Sequence, residues 1–419
     1  MLLSFCTVLP AQQSDLLQRL NKIEGISGIE LLKSDHFKEK YVFKMQQWLN
    51  HKDTSDGKFT QRVVLCHAGI NRPTLIITEG YGGAYALYPG YTEELSTLLN
   101  TNIVFVEHRF FLESTPEPCN WNFMTGENAA NDLHRIRQAL GAIYKNKWIS
   151  SGISKGGMNT LIYRAFFPQD VSFSVPYVAP LNQDVEDVRP AIFLKKVGNK
   201  SARKKIARFQ EQCLTHRNEL SGMMKELYQN KKMESFLSWE EMVDYSVLEF
   251  PFSFWQWGHN PDKIPGKNAT AKELFSYLTI VVGPEYWAKE TPTSPFFVQA
   301  AHELGYYSYD TKSLRKWLKT KSTEGYLKKI FLPEECKNMP FDKSLYNKLY
   351  SFLQENDPKM IFIYGEYDPW SAARIPDFKQ KQNLKIYIQP KGSHLSRINN
   401  MPAVLKDEII KQIHLWIEN

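Results

Sequence analysis

Cysteine is scarce: five residues in 419 (Cys6, Cys66, Cys119, Cys213, Cys336), scattered and without a CxxC pair. That excludes a disulfide framework and a cysteine-built zinc site. No cysteine stands out as a nucleophile, and for an exported chain one disulfide among the last four stays open, with nothing in the spacing to choose the pair. Long apolar runs are also missing; beyond the N-terminus none reaches the ~18 uninterrupted residues of a membrane span, so no integral span is expected. A dense basic face is absent as well. The formal net charge is +7, but Lys and Arg interleave with Asp and Glu except in a short stretch over 195–208. That stretch reads as the solvated face of a helix, and no nucleic-acid partner is expected. There is no internal repeat or low-complexity linker. With 42% hydrophobic and 23% charged residues, disorder, collagen and coiled coil are excluded.

What is there is a chain able to bury a large core. Single cores stop growing beyond about 250–300 residues, so 419 residues call for several units or for one large domain carrying an insertion. The chain opens on MLLSFCTVLPA, an apolar run ending in a small residue and followed by polar QQSDLLQRL. This has the form of the h-region and cleavage site of a signal peptide, without the positive n-region. Export to the periplasm or the extracellular space is therefore expected, with 1–11 an incomplete signal peptide. The competing reading is a short buried terminal element.

Two segments, YVFKMQQWL and FTQRVVLCHAG, flank a polar, turn-rich linker and predict an antiparallel hairpin over 41–67. Short β-branched runs follow at 74–78, 102–107, 147–152 and 172–177, with a helix-period segment over 125–144. Strands alternating with helices mean a mostly parallel sheet. From about 182 to 340 the chain turns rich in Lys, Glu, Gln, Leu and aromatics, which predicts a helical insertion large enough to be a domain of its own. The strand pattern resumes at 360–364 and 384–388, and an amphipathic helix over 403–416 closes the chain after Pro402. The expected organisation is a core of 12–181 and 341–419 with an inserted helical cap over 182–340.

At the end of the 147–152 strand stands Gly152-Ile153-Ser154-Lys155-Gly156, followed by the helix-like MNTLIYRAFF. A nucleophilic serine on a tight strand-to-helix turn needs small neighbours, because the backbone there is strained and crowded. The turn also sets the Lys155 N–H at a helix start, where it can donate to an oxyanion. A serine is a poor nucleophile until a base takes its proton, so a histidine and an orienting acid must follow. GEYDPW after the 360–364 strand and KGSH after the 384–388 strand supply Asp368 and His394, in the Ser, Asp, His order of α/β-hydrolases. Each alone has a plainer reading: an Asp before Pro forms turns, and a loop His is usually solvated. Glu366 is the rival acid; Asp368 is preferred as the deeper of the two. The loop Glu79-Gly80-Tyr81-Gly82-Gly83 is the expected source of the second oxyanion donor, with Tyr81, by backbone or hydroxyl, or Gly82.

TEGYGG, VEHRFFLESTP, GISKGGMNTLIYRAFFPQDVSFSVPYVAP, FPFSFWQWG, QAAHELGYYSYD, GEYDPWSAARI and KGSHLSRI, in that order, resemble a family of secreted serine tripeptidyl aminopeptidases. That family is similar to the lysosomal Pro-Xaa carboxypeptidase and dipeptidyl peptidase family, which has the EHR motif and a helical cap inserted in an α/β-hydrolase sheet. The resemblance implies release of short peptides from free N-termini, a triad of Ser154, Asp368 and His394, and neither cofactor nor metal. Recognition of a substrate ammonium calls for a buried or partly buried carboxylate near the site. Glu79, Glu107 and Glu303 are the candidates, although Glu107 equally suits an ion pair with Arg109. Trp255 and its aromatic neighbours either line an apolar pocket for the residue before the cut or are plain core. An esterase would use the same triad, with an apolar acyl channel and no carboxylate facing the cleavage site; a silent binding protein on the same fold is the remaining alternative.

Overall fold

The computed structural model describes residues 14–289 and 291–418; the segment expected to be a signal peptide lies outside them. The strands are β1 Ile26–Leu31, β2 Glu39–Trp48, β3 Lys58–His67, β4 Thr74–Thr78, β5 Asn102–Val106, β6 Trp148–Ile153, β7 Phe173–Tyr177, β8 Met360–Gly365 and β9 Leu384–Gln389. They form one sheet in the order β1-β2-β3-β5-β4-β6-β7-β8-β9. The hairpin expected over 41–67 is β2 and β3, antiparallel from Glu39 opposite His67 to Trp48 opposite Lys58. From β5 onward every pairing is parallel.

The continuous apolar runs of β4, β5 and β7 follow from burial at every position, which is what a sheet covered on both faces requires. Along β4 the faces alternate. Leu75 and Ile77 pack with Ile409, Ile413 and Trp416 of the C-terminal helix Ala403–Glu418, while Ile76 packs with Leu133, Ile136 and Leu140 of the helix Gly126–Gly141. Helices on both faces of a mostly parallel sheet make the α/β-hydrolase fold.

Between β7 and β8 the chain is helical, as its composition predicts. The insertion is not cored by itself. One apolar cluster runs from Met158 and Leu161 under the sheet through Phe250, Phe254 and Trp287 of the insertion to Phe362 and Tyr364 of β8. Its central element is the helix Trp239–Gln256, opened by a capping box of Ser238 and Glu241. Pro251 sits inside this helix and cannot donate to the carbonyl four residues back. The buried Gln210 side chain donates to that carbonyl, Val247 O, at 2.8 Å.

Candidate active site

Ser154 stands between β6 and the helix Lys155–Phe166 at φ 58° and ψ −120°, a left-handed conformation that costs a non-glycine residue about 1–3 kcal/mol. The turn holds because its neighbours are glycines. A Cβ at Gly152 would lie 2.3 Å from Gly156 O, and one at Gly157 would lie 2.6 Å from Tyr177 O. The serine is tied to the next strand by Ser154 N–H donating to Tyr177 O, 2.9 Å. Its other neighbour, the Lys155 N–H, opens a helix, where first-turn donors lack partners within the helix.

Asp368 and His394 come from the loops after β8 and β9. Asp368 is fully buried; its Oδ2 lies 2.7 Å from His394 Nδ1, and its Oδ1 accepts from Trp370 N–H, 3.1 Å. Glu366 is exposed and accepts from Lys391 N–H. The insertion completes the histidine's surroundings. His394 N–H donates to Gln256 O at 2.9 Å, and the ring of Trp257 meets the imidazole edge-on at 6.0 Å between centroids.

The loop after β4 is held from behind by the EHR motif. Glu107, fully buried, pairs with Arg62 and accepts from Gly83 N–H, Ser114 N–H and Ser114 Oγ. His108 N–H donates to Tyr81 O at 3.2 Å. Arg109 makes a bidentate pair with Asp132, not with Glu107, and donates to three backbone carbonyls of residues 48, 49 and 123. Gly83 is forced by space, since a Cβ there would sit 2.2 Å from the Phe105 ring. Lys155, only 2% exposed, reaches back under this loop and donates its ammonium to Gly80 O at 2.7 Å. Burial depresses its pKa to about 7, against the opposing pull of Glu79 and Glu303.

Two cavities meet at Ser154. One, of about 940 Å³, has Ser154, His394, Glu79, Glu93 and Arg397 in its wall; the other, of about 450 Å³, has Ser154, Glu249 and a group of aromatic rings. Tyr81 and Trp257 line both.

The predicted site residues distribute unevenly around this centre. Ser154, His394, Lys155, Tyr81 and Glu79 border these cavities, and Asp368 stands behind His394. Glu107 does not: its carboxylate is saturated as a brace for the loop. Glu303 turns away too. It accepts from Gly126 N–H and Gln299 Nε2 and opens on a separate polar cavity beside His302 and Asp342. Trp255 lies outside both cavities, against Gly198 and Tyr367; two residues on, Trp257 takes the place expected of it. The Tyr81 N–H is committed to Glu79 Oε1, 3.1 Å, which leaves the hydroxyl as the Tyr81 donor. Gly82 packs against Leu112, where a Cβ would have no room.

Glu249 went unread in the sequence. Its signal was a lone charge in the apolar run YSVLEFPFSFW, where every residue from Met242 to Phe250 is buried. Among the described residues no group of three or more His, Cys, Asp or Glu side chains is placed to hold a metal ion.

Among known proteins, sequence similarity extends over nearly the whole chain. A prolyl tri/tetrapeptidyl aminopeptidase of Streptomyces mobaraensis is 27% identical over 415 residues, which cover 97% of this chain and 86% of that protein. Among solved structures, a proline iminopeptidase of Mycobacterium smegmatis overlaps 93% of this chain and 99% of its own at a TM-score of 0.40 and 11% identity. VinJ overlaps 94% and 98% at a TM-score of 0.41 and 12% identity. Likeness that low adds nothing to the strand order and helix layers above. The profile of the family described as PS-10 peptidase S37 matches residues 10–416, and the chain belongs to that family.

Proposed function

We propose that this serine peptidase is an exopeptidase that releases short peptides, tripeptides foremost, from free N-termini through an acyl-enzyme. The observation that carries the reading is Ser154 on its positive-φ turn, sharing a cavity wall with His394, whose Nδ1 is bonded to the buried Asp368. In the proposed chemistry Asp368 fixes the imidazole with its proton on Nδ1, leaving Nε2 to take the Ser154 proton. Ser154 Oγ bonds to the scissile carbonyl carbon, the C–N bond breaks, and His394 passes the proton to the leaving amine. Water then repeats the sequence on the ester. The Lys155 N–H and the Tyr81 hydroxyl are the donors available to the oxyanion.

Carboxylates in both cavities that meet at Ser154 favour a peptide amine over the apolar channel an esterase needs. The name of the Streptomyces relative supports the tripeptide length. Export rests on the sequence of residues 1–11 and is tested by the N-terminal sequence of the protein recovered from cells and medium.

The decisive experiment incubates the protein and Ser154→Ala with unblocked and N-acetylated peptides and reads the products by mass spectrometry. Tripeptides leaving only unblocked substrates, with a silent variant, is the expected result. Hydrolysis of a nitrophenyl ester with every peptide left intact would overturn it in favour of an esterase.

A further inference from the structure

We infer that Glu249 is the acceptor of the substrate's terminal ammonium, seated in the aromatic-walled cavity of about 450 Å³ that opens at Ser154. The inference rests on the exopeptidase reading and names the residue that recognises the free N-terminus.

The argument begins with which carboxylate lacks a countercharge. Glu107 has Arg62. Glu79 accepts from Tyr81 N–H and the Tyr85 hydroxyl and feels the Lys155 ammonium. Glu303 also feels Lys155, and it faces another cavity. Of the other carboxylates on the two cavities, Glu93 and Glu94 feel the Arg397 guanidinium, and Glu285 pairs with Lys231. Glu249 is 2% exposed, and its partners are hydroxyls alone. Ser253 Oγ donates to Oε1 at 2.6 Å, and the Tyr307 and Tyr309 hydroxyls donate to Oε2 at 2.8 Å each. No Lys, Arg or His pairs with it among the described residues. Burying a carboxylate without a cation is unfavourable, and burial lifts its pKa to about 7. A bound ammonium is the countercharge the site lacks.

The walls suit the same ligand. Tyr286, Tyr306, Tyr307, Phe296, Phe297 and Trp370 line the cavity. Tyr306 and Tyr307 are stacked at 4.3 Å, and each stands near edge-on to Trp370, at 5.4 and 5.3 Å. Aromatic faces attract a desolvated cation, and a carboxylate among them adds a charge-assisted hydrogen bond. The helix Trp239–Gln256 carries Glu249 at its middle and, through Gln256 and Trp257, touches the His394 loop at its end. One rigid element thus sets the distance between the amine acceptor and the catalytic histidine.

The test measures binding in the Ser154→Ala background, so turnover is not required. The probes are tri-alanine amide and its N-acetyl counterpart, titrated calorimetrically into Ser154→Ala, Ser154→Ala/Glu249→Gln and Ser154→Ala/Glu79→Gln. Glutamine keeps the shape and the hydroxyl partners, and thermal unfolding checks that each variant is folded. The expected result is an unblocked peptide bound roughly 10- to 100-fold tighter than the acetylated one, with that ratio collapsing to near unity in the Glu249→Gln pair and surviving in the Glu79→Gln pair. Tyr309→Phe, which strips one hydroxyl and leaves the carboxylate, should keep the preference. A ratio that persists without Glu249, or collapses with Glu79, overturns the inference; so does an equal weakening of both probes in Glu249→Gln. The exopeptidase reading fails separately, if the wild-type protein cuts no unblocked peptide.

Discussion

The Lys155 ammonium donates to Gly80 O at 2.7 Å, and the rings of Tyr81 and Phe111 lie 5.8 and 5.4 Å from it. Lys155 follows the nucleophile and Gly80 precedes Tyr81, so this one hydrogen bond ties together the two segments that would face an oxyanion. Replacing the side chain with the apolar Met retains most of the stem and removes the donor. Lys155→Met should lower kcat by roughly 10- to 100-fold with KM little changed, because a loop set loose weakens contacts made only in the transition state. It should also lower stability by about 1–3 kcal/mol, since buried Gly80 O loses that partner. Steady-state kinetics on an unblocked peptide, read beside thermal unfolding, separates the two effects. A rise in KM at constant kcat would assign Lys155 to ground-state binding instead.

At the scale of elements, the helix Trp239–Gln256 joins the insertion to the His394 loop through Gln256 and Trp257, and its weak point is the proline inside it. Gln210 supplies the donor that Pro251 lacks. Gln210→Ala leaves the Val247 carbonyl bare in the core and should destabilise the protein by about 1–3 kcal/mol, seen as an earlier urea midpoint at constant slope. A shallower slope would mean instead that the insertion unfolds ahead of the sheet. Elements also explain what could be read from the chain and what could not. The central strands announced themselves as apolar runs because they are buried on both faces, and Ser154, Asp368 and His394 because each follows its own strand. Strand β1 was missed: ISGIEL has no fully buried position and contains a positive-φ glycine, so it lacks both run and alternation. Trp255 and Trp257 differ by two residues, nearly opposite directions at a helix end, and composition alone does not give that phase. The ion pairs of Glu107 with Arg62 and Arg109 with Asp132 join residues far apart in sequence, and no local pattern reports them.

For the molecule as a whole, buried titratable groups of both signs shape how stability depends on pH. Burial raises Glu249 and Glu303 to about 7, above the ordinary 4.5 that each regains on unfolding. Between those values each of these carboxyls holds more proton in the folded state than in the unfolded one, so its contribution to stability falls as pH rises from about 4.5 to 7 and is constant above. Each such group costs on the order of 3 kcal/mol over that window as an upper bound. On the acid side the sign reverses. Asp187, pulled upward by burial but held below its usual range by hydrogen bonds from Arg189, contributes stability above its unfolded value that is lost as pH falls through its folded one. In the same window His67, His108, His259 and His302, each held below its usual range chiefly by burial, act with the opposite sign and add stability as pH rises, so the carboxylate contribution is read as a difference between two proteins. Glu249→Gln carries no charge to desolvate, so its melting temperature should rise relative to the wild type between pH 5 and 7, and the two curves should draw apart as pH rises. Scanning calorimetry of both proteins at low salt checks this, and parallel curves across the window would remove Glu249 from the account.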